Sequence, residues 1–243
     1  MSALVLREDA EGIATLTLNR PEVLNALSPA LFEELRAHVD RIAGETEAVG
    51  CVILRGAGRS FCAGNDLKAL RAGEVARAPH FHAETVDALE ALPQPVVASV
   101  HGHCYTGALE LVLACDLLVA AESARFADTH GRFGLVPMWG MSARLPHRVG
   151  ELLAKEIMYT GRVLGGREAA ERGLANLCVP DAELAAQTLE LARRATASSW
   201  FSLRAVKALV QRARALPLPE AVRREREDHP GFAPDMKQRL ESF

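Results

Sequence analysis

Two short runs limit the fold of this chain more than anything else in it. "CVILRG" (51–56) and "PVVASVHG" (95–102) are almost continuously apolar. A strand with one face in water alternates apolar and polar residues. An unbroken run is expected where both faces are covered, as in a parallel sheet flanked by helices. Each run leads into a glycine-bearing loop and then a helical pattern. The recurring order of strand, loop and helix predicts α/β layering with parallel strands.

The flanking segments agree with that plan. "ALVLRED" and "IATLTLNR" are β-rich runs around Glu11-Gly12, which predicts a hairpin. Ser28 reads as an N-cap with Pro29 at the first helical position, and Leu31, Leu35, Val39 and Ile42 recur at helical spacing up to Gly44. "AGRSFCAGNDLKALRAG" predicts a glycine-rich loop entering a short helix, and "HFHAETVDALEALP" a helix closed by Pro93. "DLLVAAESARFA" gives two further short strands. After Pro180 the pattern is helical throughout, so the expected organisation is a core over 1–180 and a helical region over 181–243. The mixed-sign run Arg223–Asp228 reads as a solvated helix face.

Charge and cysteine usage narrow the function classes. The formal net charge is -3, with no basic excess to suggest nucleic acid or an anionic membrane as partner. "MSALVLREDAEG" lacks the basic-then-apolar succession of a signal peptide. The apolar runs 111–114 and 117–121 are too short to cross a bilayer. Five cysteines, an odd number in apolar surroundings, read as reduced core thiols of a cytoplasmic protein. "HGHC" places His101, His103 and Cys104 close together, but a strand sends alternate side chains to opposite faces, so no metal site is expected there.

"TGALELVLACD" (106–116) carries the chemistry. It sets Glu110 among Leu109, Leu111, Val112, Leu113 and Ala114. A buried carboxylate is costly unless paired or kept protonated. Either Glu110 has a structural partner, such as Arg144, or it is a tuned acid/base group in a pocket. The loops in "FCAGNDLKAL" and "HCYTGALEL" share a design of strand, glycine, helix start. They could be plain turns. If they face each other, their unpaired N–H groups could hold one oxygen that becomes negative during reaction.

Three ordered segments, "LNRPEVLNALSPALFEEL", "GAGRSFCAGNDLKAL" and "PVVASVHGHCYTGALELVLACDLLVAAESARFADTHGRFGLVPMWGMSARLPHRVG", together with "GRVLGGREAAERGLANLCVP", resemble the enoyl-CoA hydratase/isomerase (crotonase) superfamily. The resemblance covers nearly the whole chain. It implies an α/β crotonase-like fold, a spiral of β-β-α turns with a C-terminal helical trimerisation region. It implies an acyl-CoA substrate, with the CoA belonging to that substrate and no separate cofactor or metal. By position, the oxyanion-binding amides fall on Asn65 and Gly107, and the CoA-binding loop on Ala63, Asn65, Asp66 and Leu67. Glu110 takes the place of the hydratases' first glutamate, which handles the attacking water. The second glutamate aligns with His130, and a Glu–His pair is chemically workable near neutral pH. Asp128, two residues away, is the alternative carboxylate. Trp139 is expected in or beside the acyl pocket.

The activity so implied is reversible hydration of a 2-enoyl-CoA by a homotrimer or dimer of trimers. Rivals are another crotonase reaction (isomerisation, thioester hydrolysis, C–C cleavage or decarboxylation) and a non-catalytic acyl-CoA- or RNA-binding member.

Overall fold

A computed structural model describes residues 3–242. The chain opens with β1 (Val5–Ala10) and β2 (Ile13–Leu18), an antiparallel pair turned at Glu11 and Gly12, both at positive φ. A left-handed pair of turn residues matches the twist of adjoining strands. Helix α1 (Pro29–Gly44) starts where the sequence predicts: the Ser28 hydroxyl accepts from the Leu31 N–H at 3.3 Å and Pro29 occupies the first turn. It buries Leu31, Phe32, Leu35, Val39 and Ile42.

The spiral continues with β3 (Cys51–Gly56), α2 (Leu67–Arg71), α3 (Phe81–Glu90), β4 (Val96–Val100), β5 (His103–Tyr105) and α4 (Gly107–Leu113). Next come β6 (Leu117–Ala121), β7 (Arg125–Ala127), α5 (Met141–Val149), α6 (Glu151–Thr160), β8 (Leu164–Gly165), α7 (Gly166–Glu171) and β9 (Leu177–Val179). Helices α8 (Leu184–Thr196), α9 (Trp200–Ala213), α10 (Leu218–Glu227) and α11 (Met236–Glu241) complete it. One sheet has the order β1-β2-β3-β4-β6-β9, parallel from β2 onward. A second, small sheet has the order β5-β7-β8.

The continuous apolar strands are explained by what covers the large sheet. Val52, Leu54, Val96 and Ala98 face the main core with α1, α3 and α4. Their neighbours Cys51, Ile53 and Val97 face the other way, under Leu184 and Ala192 of α8. Successive side chains of a strand alternate faces, so two covered faces demand an unbroken apolar run.

The helices after Pro180 are therefore part of the packing. The Lys207 ammonium on α9 is buried and donates to Asp116 at 2.7 Å and to the Gln94 carbonyl at 3.0 Å. Trp200, at the start of α9, lies over Gly12 and Gly50; a Cβ at Gly12 would come within 2.6 Å of its ring, and one at Gly50 would overlap it. Among the described residues, no helix is long and apolar enough to cross a membrane.

Candidate functional site

The first wall of the site is the loop between β3 and α2. Asn25 is fully buried, and its side-chain amide donates to the carbonyls of Ala57, Ser60 and Phe61 at 2.8–3.0 Å. Cys62 N–H donates to His103 O at 2.8 Å, and Tyr105 N–H to Cys62 O at 3.3 Å. These bonds stitch the loop to β5. Leu27 N–H then donates to Gly64 O, and Asp66 N–H to Leu27 O, at 2.8 and 3.0 Å. This bracket holds Asn65 on both sides and leaves its own N–H free of any acceptor among the described residues. Gly64, at φ +101°, passes so near Tyr105 O that a Cβ would lie 2.6 Å from it. Only glycine allows that approach.

The second wall is the start of α4. Thr106 precedes it at φ 55° and ψ -112°, an uncommon conformation for a β-branched residue. Its N–H donates to Ala127 O at 2.8 Å, its hydroxyl meets that of Thr129 at 2.6 Å, and the Thr129 N–H donates to that same Thr106 hydroxyl at 3.1 Å. The strain is thus held by bonds from the β7–α5 segment. Gly107 opens the helix, and its N–H likewise finds no acceptor among the described residues.

Asn65, Gly107, Glu110 and His130 line one cavity of about 200 Å³, with Ala63, Leu67 and Trp139 also in its wall. Asp66 is not in that wall. Its carboxylate caps α2 by accepting from Lys68 and Ala69 N–H and is paired with Arg20 at 2.9 Å. Burial pushes its carboxyl up, but the Arg20 hydrogen bond and the two amides outweigh that and leave it below the ordinary value.

Glu110 is 1% exposed. Its partner is not Arg144, the one the sequence suggested. Arg144 is engaged by Glu90 and Asp87, both at 2.6 Å. Glu110 Oε1 instead accepts from the backbone N–H of Trp139 at 2.8 Å and of Met141 at 3.1 Å. Oε2 is left toward His130, whose Nε2 is 3.7 Å away, beyond hydrogen-bond reach. Burial raises the Glu110 carboxyl above the ordinary glutamate value; the Met141 N–H, His130 and the Trp139 N–H pull it back without cancelling the rise.

His130 is also buried, and Asp128 lies behind it. Asp128 Oδ1 accepts from the His130 backbone N–H at 3.0 Å and from Nδ1 at 2.6 Å. With a carboxylate accepting at Nδ1, the proton there is fixed and Nε2 is turned to the cavity. Asp128 is not itself in the cavity wall, so it supports the histidine instead of replacing it. Sequence reasoning missed this role. The signal was present in "DTH", since an aspartate commonly accepts from the N–H two residues on.

The histidines of "HGHC" go separate ways. His101 Nε2 is 2.8 Å from Gly58 O, and His103 Nδ1 is 3.0 Å from Ser60 Oγ. Among the described residues no group of three His, Cys, Asp or Glu is placed to hold a metal. Four cysteines are buried and the fifth, Cys178, is half-buried; all are free thiols.

Comparison with known proteins gives this geometry a context. The sequence pattern of the family described as enoyl-CoA hydratase/isomerase matches residues 8–240. A probable peroxisomal enoyl-CoA hydratase of Arabidopsis thaliana is 33% identical over 222 residues, 91% of this chain and 83% of that protein. A crotonyl-CoA hydratase of Syntrophomonas wolfei is 32% identical over 84% of this chain and 80% of its own length. The crystal structure of an enoyl-CoA hydratase from Bacillus anthracis superposes with a TM-score of 0.93 at 34% identity, covering 99% of this chain and 95% of that one.

Proposed function

This chain belongs to the enoyl-CoA hydratase/isomerase family, and from that premise we infer that it is a hydratase-like enzyme, adding water reversibly across the 2,3 double bond of an acyl-CoA thioester. One observation carries the assignment of roles. Two ionisable groups, Glu110 and His130, share a small cavity with two backbone N–H groups that have no acceptor among the described residues.

In the proposed mechanism the thioester oxygen lies between the N–H groups of Asn65 and Gly107. As the C3–O bond forms, the C2=C3 π electrons shift to make C1=C2 and the carbonyl π pair moves onto that oxygen, giving the enolate. Fixed donors stabilise the charge as it develops, which is where such groups contribute most to rate. Glu110 Oε2 takes the proton of the attacking water. The two N–H donors on Oε1 hold the carboxylate so that Oε2 is the oxygen presented. His130 enters the cycle as the imidazolium, with one proton on Nδ1 toward Asp128 and one on Nε2; it delivers the Nε2 proton to C2 and is left neutral, with Asp128 fixing the ring through Nδ1. A proton shuttled from Glu110 to His130 across their 3.7 Å gap returns the pair to its starting state.

Ala63, Asn65, Asp66 and Leu67 are proposed to line the path of the CoA, which is part of the substrate; no further cofactor is invoked. A homotrimer or dimer of trimers is supported by the apolar side chains that α6 leaves uncovered, Leu152 and Tyr159. A cytoplasmic location is supported by the five free thiols. The functional test is incubation with crotonyl-CoA, following loss of the enoyl thioester absorbance and identifying the product by mass. The expected product is 3-hydroxybutyryl-CoA. Free CoA or a shifted double bond, without the hydroxyacyl product, would move the enzyme to another reaction of the family.

A further inference from the structure

The site cavity is small. At about 200 Å³ it falls below the ~300–1,000 Å³ usual for small-molecule pockets. Two larger cavities adjoin it. One, of about 540 Å³, lies between the start of α1, α2 and α3. The other, of about 650 Å³, lies between α3 and α5. Only Met138 and Trp139 are in the walls of all three. The site cavity and the 540 Å³ one also share Asn65 and Leu70; Leu70 and Met138, 48% and 68% exposed, form a lip, and the bulk of the partition behind it is the Trp139 indole beside Asn65.

That indole is fixed from several sides. Its backbone N–H is held by Glu110 and its carbonyl accepts from Arg144 at 2.6 Å. Its ring lies against Gly107, where a Cβ would overlap it. Its edge meets Phe32 of α1 at 5.0 Å and 75°, and His82 of α3 at 5.5 Å and 88°, both favourable edge-to-face arrangements. Leu70, Phe81 and Ala69 continue an apolar surface into the 540 Å³ cavity beyond it.

We propose that Trp139 sets the acyl-chain length: its ring ends the site a few carbons past the thioester and shuts off the cavity between α1 and α3 that a longer chain would enter. The proposal rests on the acyl-CoA reading of the site. Short acyl groups fit in front of the ring. Medium and long chains have their tails turned away from the apolar surface behind it and gain nothing from their extra methylenes.

The test is calorimetric binding of two unreactive saturated thioesters, butyryl-CoA and decanoyl-CoA, to the parent, to Trp139→Ala and to Trp139→Leu. Saturated thioesters report the pocket whichever reaction the enzyme performs. Both substitutions keep the backbone N–H that holds Glu110, and the leucine variant keeps apolar packing should the alanine variant unfold. In the parent, decanoyl-CoA is expected to bind no tighter than butyryl-CoA. In either variant the ratio of the decanoyl to the butyryl Kd should fall at least tenfold, about 1.4 kcal/mol, which corresponds to burial of about two methylenes. A parent that already prefers decanoyl-CoA, or folded variants whose ratio stays within threefold of the parent's, would overturn the role of Trp139 and leave the acyl-CoA site standing. A parent that binds neither thioester would remove the acyl-CoA reading and this inference with it.

Discussion

Replacing Glu110 separates the two things its side chain does. In Glu110→Gln the amide oxygen still accepts from the Trp139 and Met141 N–H groups, now held by Oε1 at 2.8 and 3.1 Å. Only the proton-accepting capacity of Oε2 is lost. The expected fall in kcat is therefore that of acid/base catalysis alone, about 10²–10⁴-fold, or roughly 3–5 kcal/mol of barrier. Glu110→Ala loses the same base and also orphans both N–H groups. A buried unsatisfied donor costs about 1–3 kcal/mol. Met141 is fully buried, whereas the Trp139 amide borders the cavity and can be reached by water. The pair should then cost roughly 2–4 kcal/mol beyond the glutamine variant. At ~2–4 °C per kcal/mol for a chain of this size, the alanine variant should melt about 4–16 °C lower. Both variants discard the buried charge, so comparing them with each other cancels that contribution. Hydration of crotonyl-CoA at saturation and thermal melts of the two variants supply the measurements. A glutamine variant within tenfold of the parent would remove Glu110 from proton transfer, and equal melting temperatures for the two variants would refute the anchoring role of the two amides.

Burial raises the Glu110 carboxyl, so the folded state holds that proton more tightly than the unfolded chain does. The resulting stability is fully present below the unfolded value and lost as pH rises through the folded one, so the melting temperature of Glu110→Gln relative to the parent should climb over that interval; a flat difference would contradict the raised value. Asp128→Asn should lower kcat at least about tenfold and reshape its pH profile with little change in KM, because the amide no longer fixes the proton on His130 Nδ1; an unaltered kcat and profile would make Asp128 a bystander. Gly107→Ala keeps the oxyanion-binding N–H but drives a methyl against the Cζ3 edge of the Trp139 ring, so kcat/KM should fall more than about tenfold and recover partly when Trp139→Ala is added; no recovery would mean that the contact is not the cause. His82 Nε2 is buried with no partner among the described residues, and Phe in its place should raise the melting temperature by at least about 2 °C; a lowered melt would show that the nitrogen is satisfied.

Much of the scaffold is legible because its signals are local. Ser28-Pro29 opens α1 by capping chemistry and Gly44 is its last residue, before Glu45 at the C-cap; Cys51–Gly56 shows by its unbroken apolar run that both faces are covered. The three-residue β5 and β7, and the two-residue β8, carry too little pattern to stand out individually; pairing with one another defines them. At the site, Glu110 stands out as a carboxylate where apolar residues are required. Its real partners leave no trace in the sequence, because a backbone N–H has no residue-type signature, and Arg144, the cation the sequence offers, is engaged by Glu90 and Asp87. Asp128 was visible as an acid near His130, but whether it faces the cavity or the histidine's back depends on a turn that sequence spacing alone leaves open. The fit of Trp139 against Gly107 is likewise a contact between residues 32 positions apart, with nothing in either neighbourhood to announce it.

The indole of Trp200 over Gly12 and Gly50 has a consequence for the birth of the chain. The ring that fills the space above those glycines is made 150 residues after the second of them. At translation rates of about 5–20 residues per second, the slot stays open for roughly 8–30 s on the ribosome. Through that interval the hairpin and the outer face of β3 are apolar surface without a cover, since α8 and α9 have yet to emerge. The nascent chain therefore needs a temporary occupant for the slot, solvent or a chaperone, and its release into the native state is timed by the arrival of the C-terminal helices.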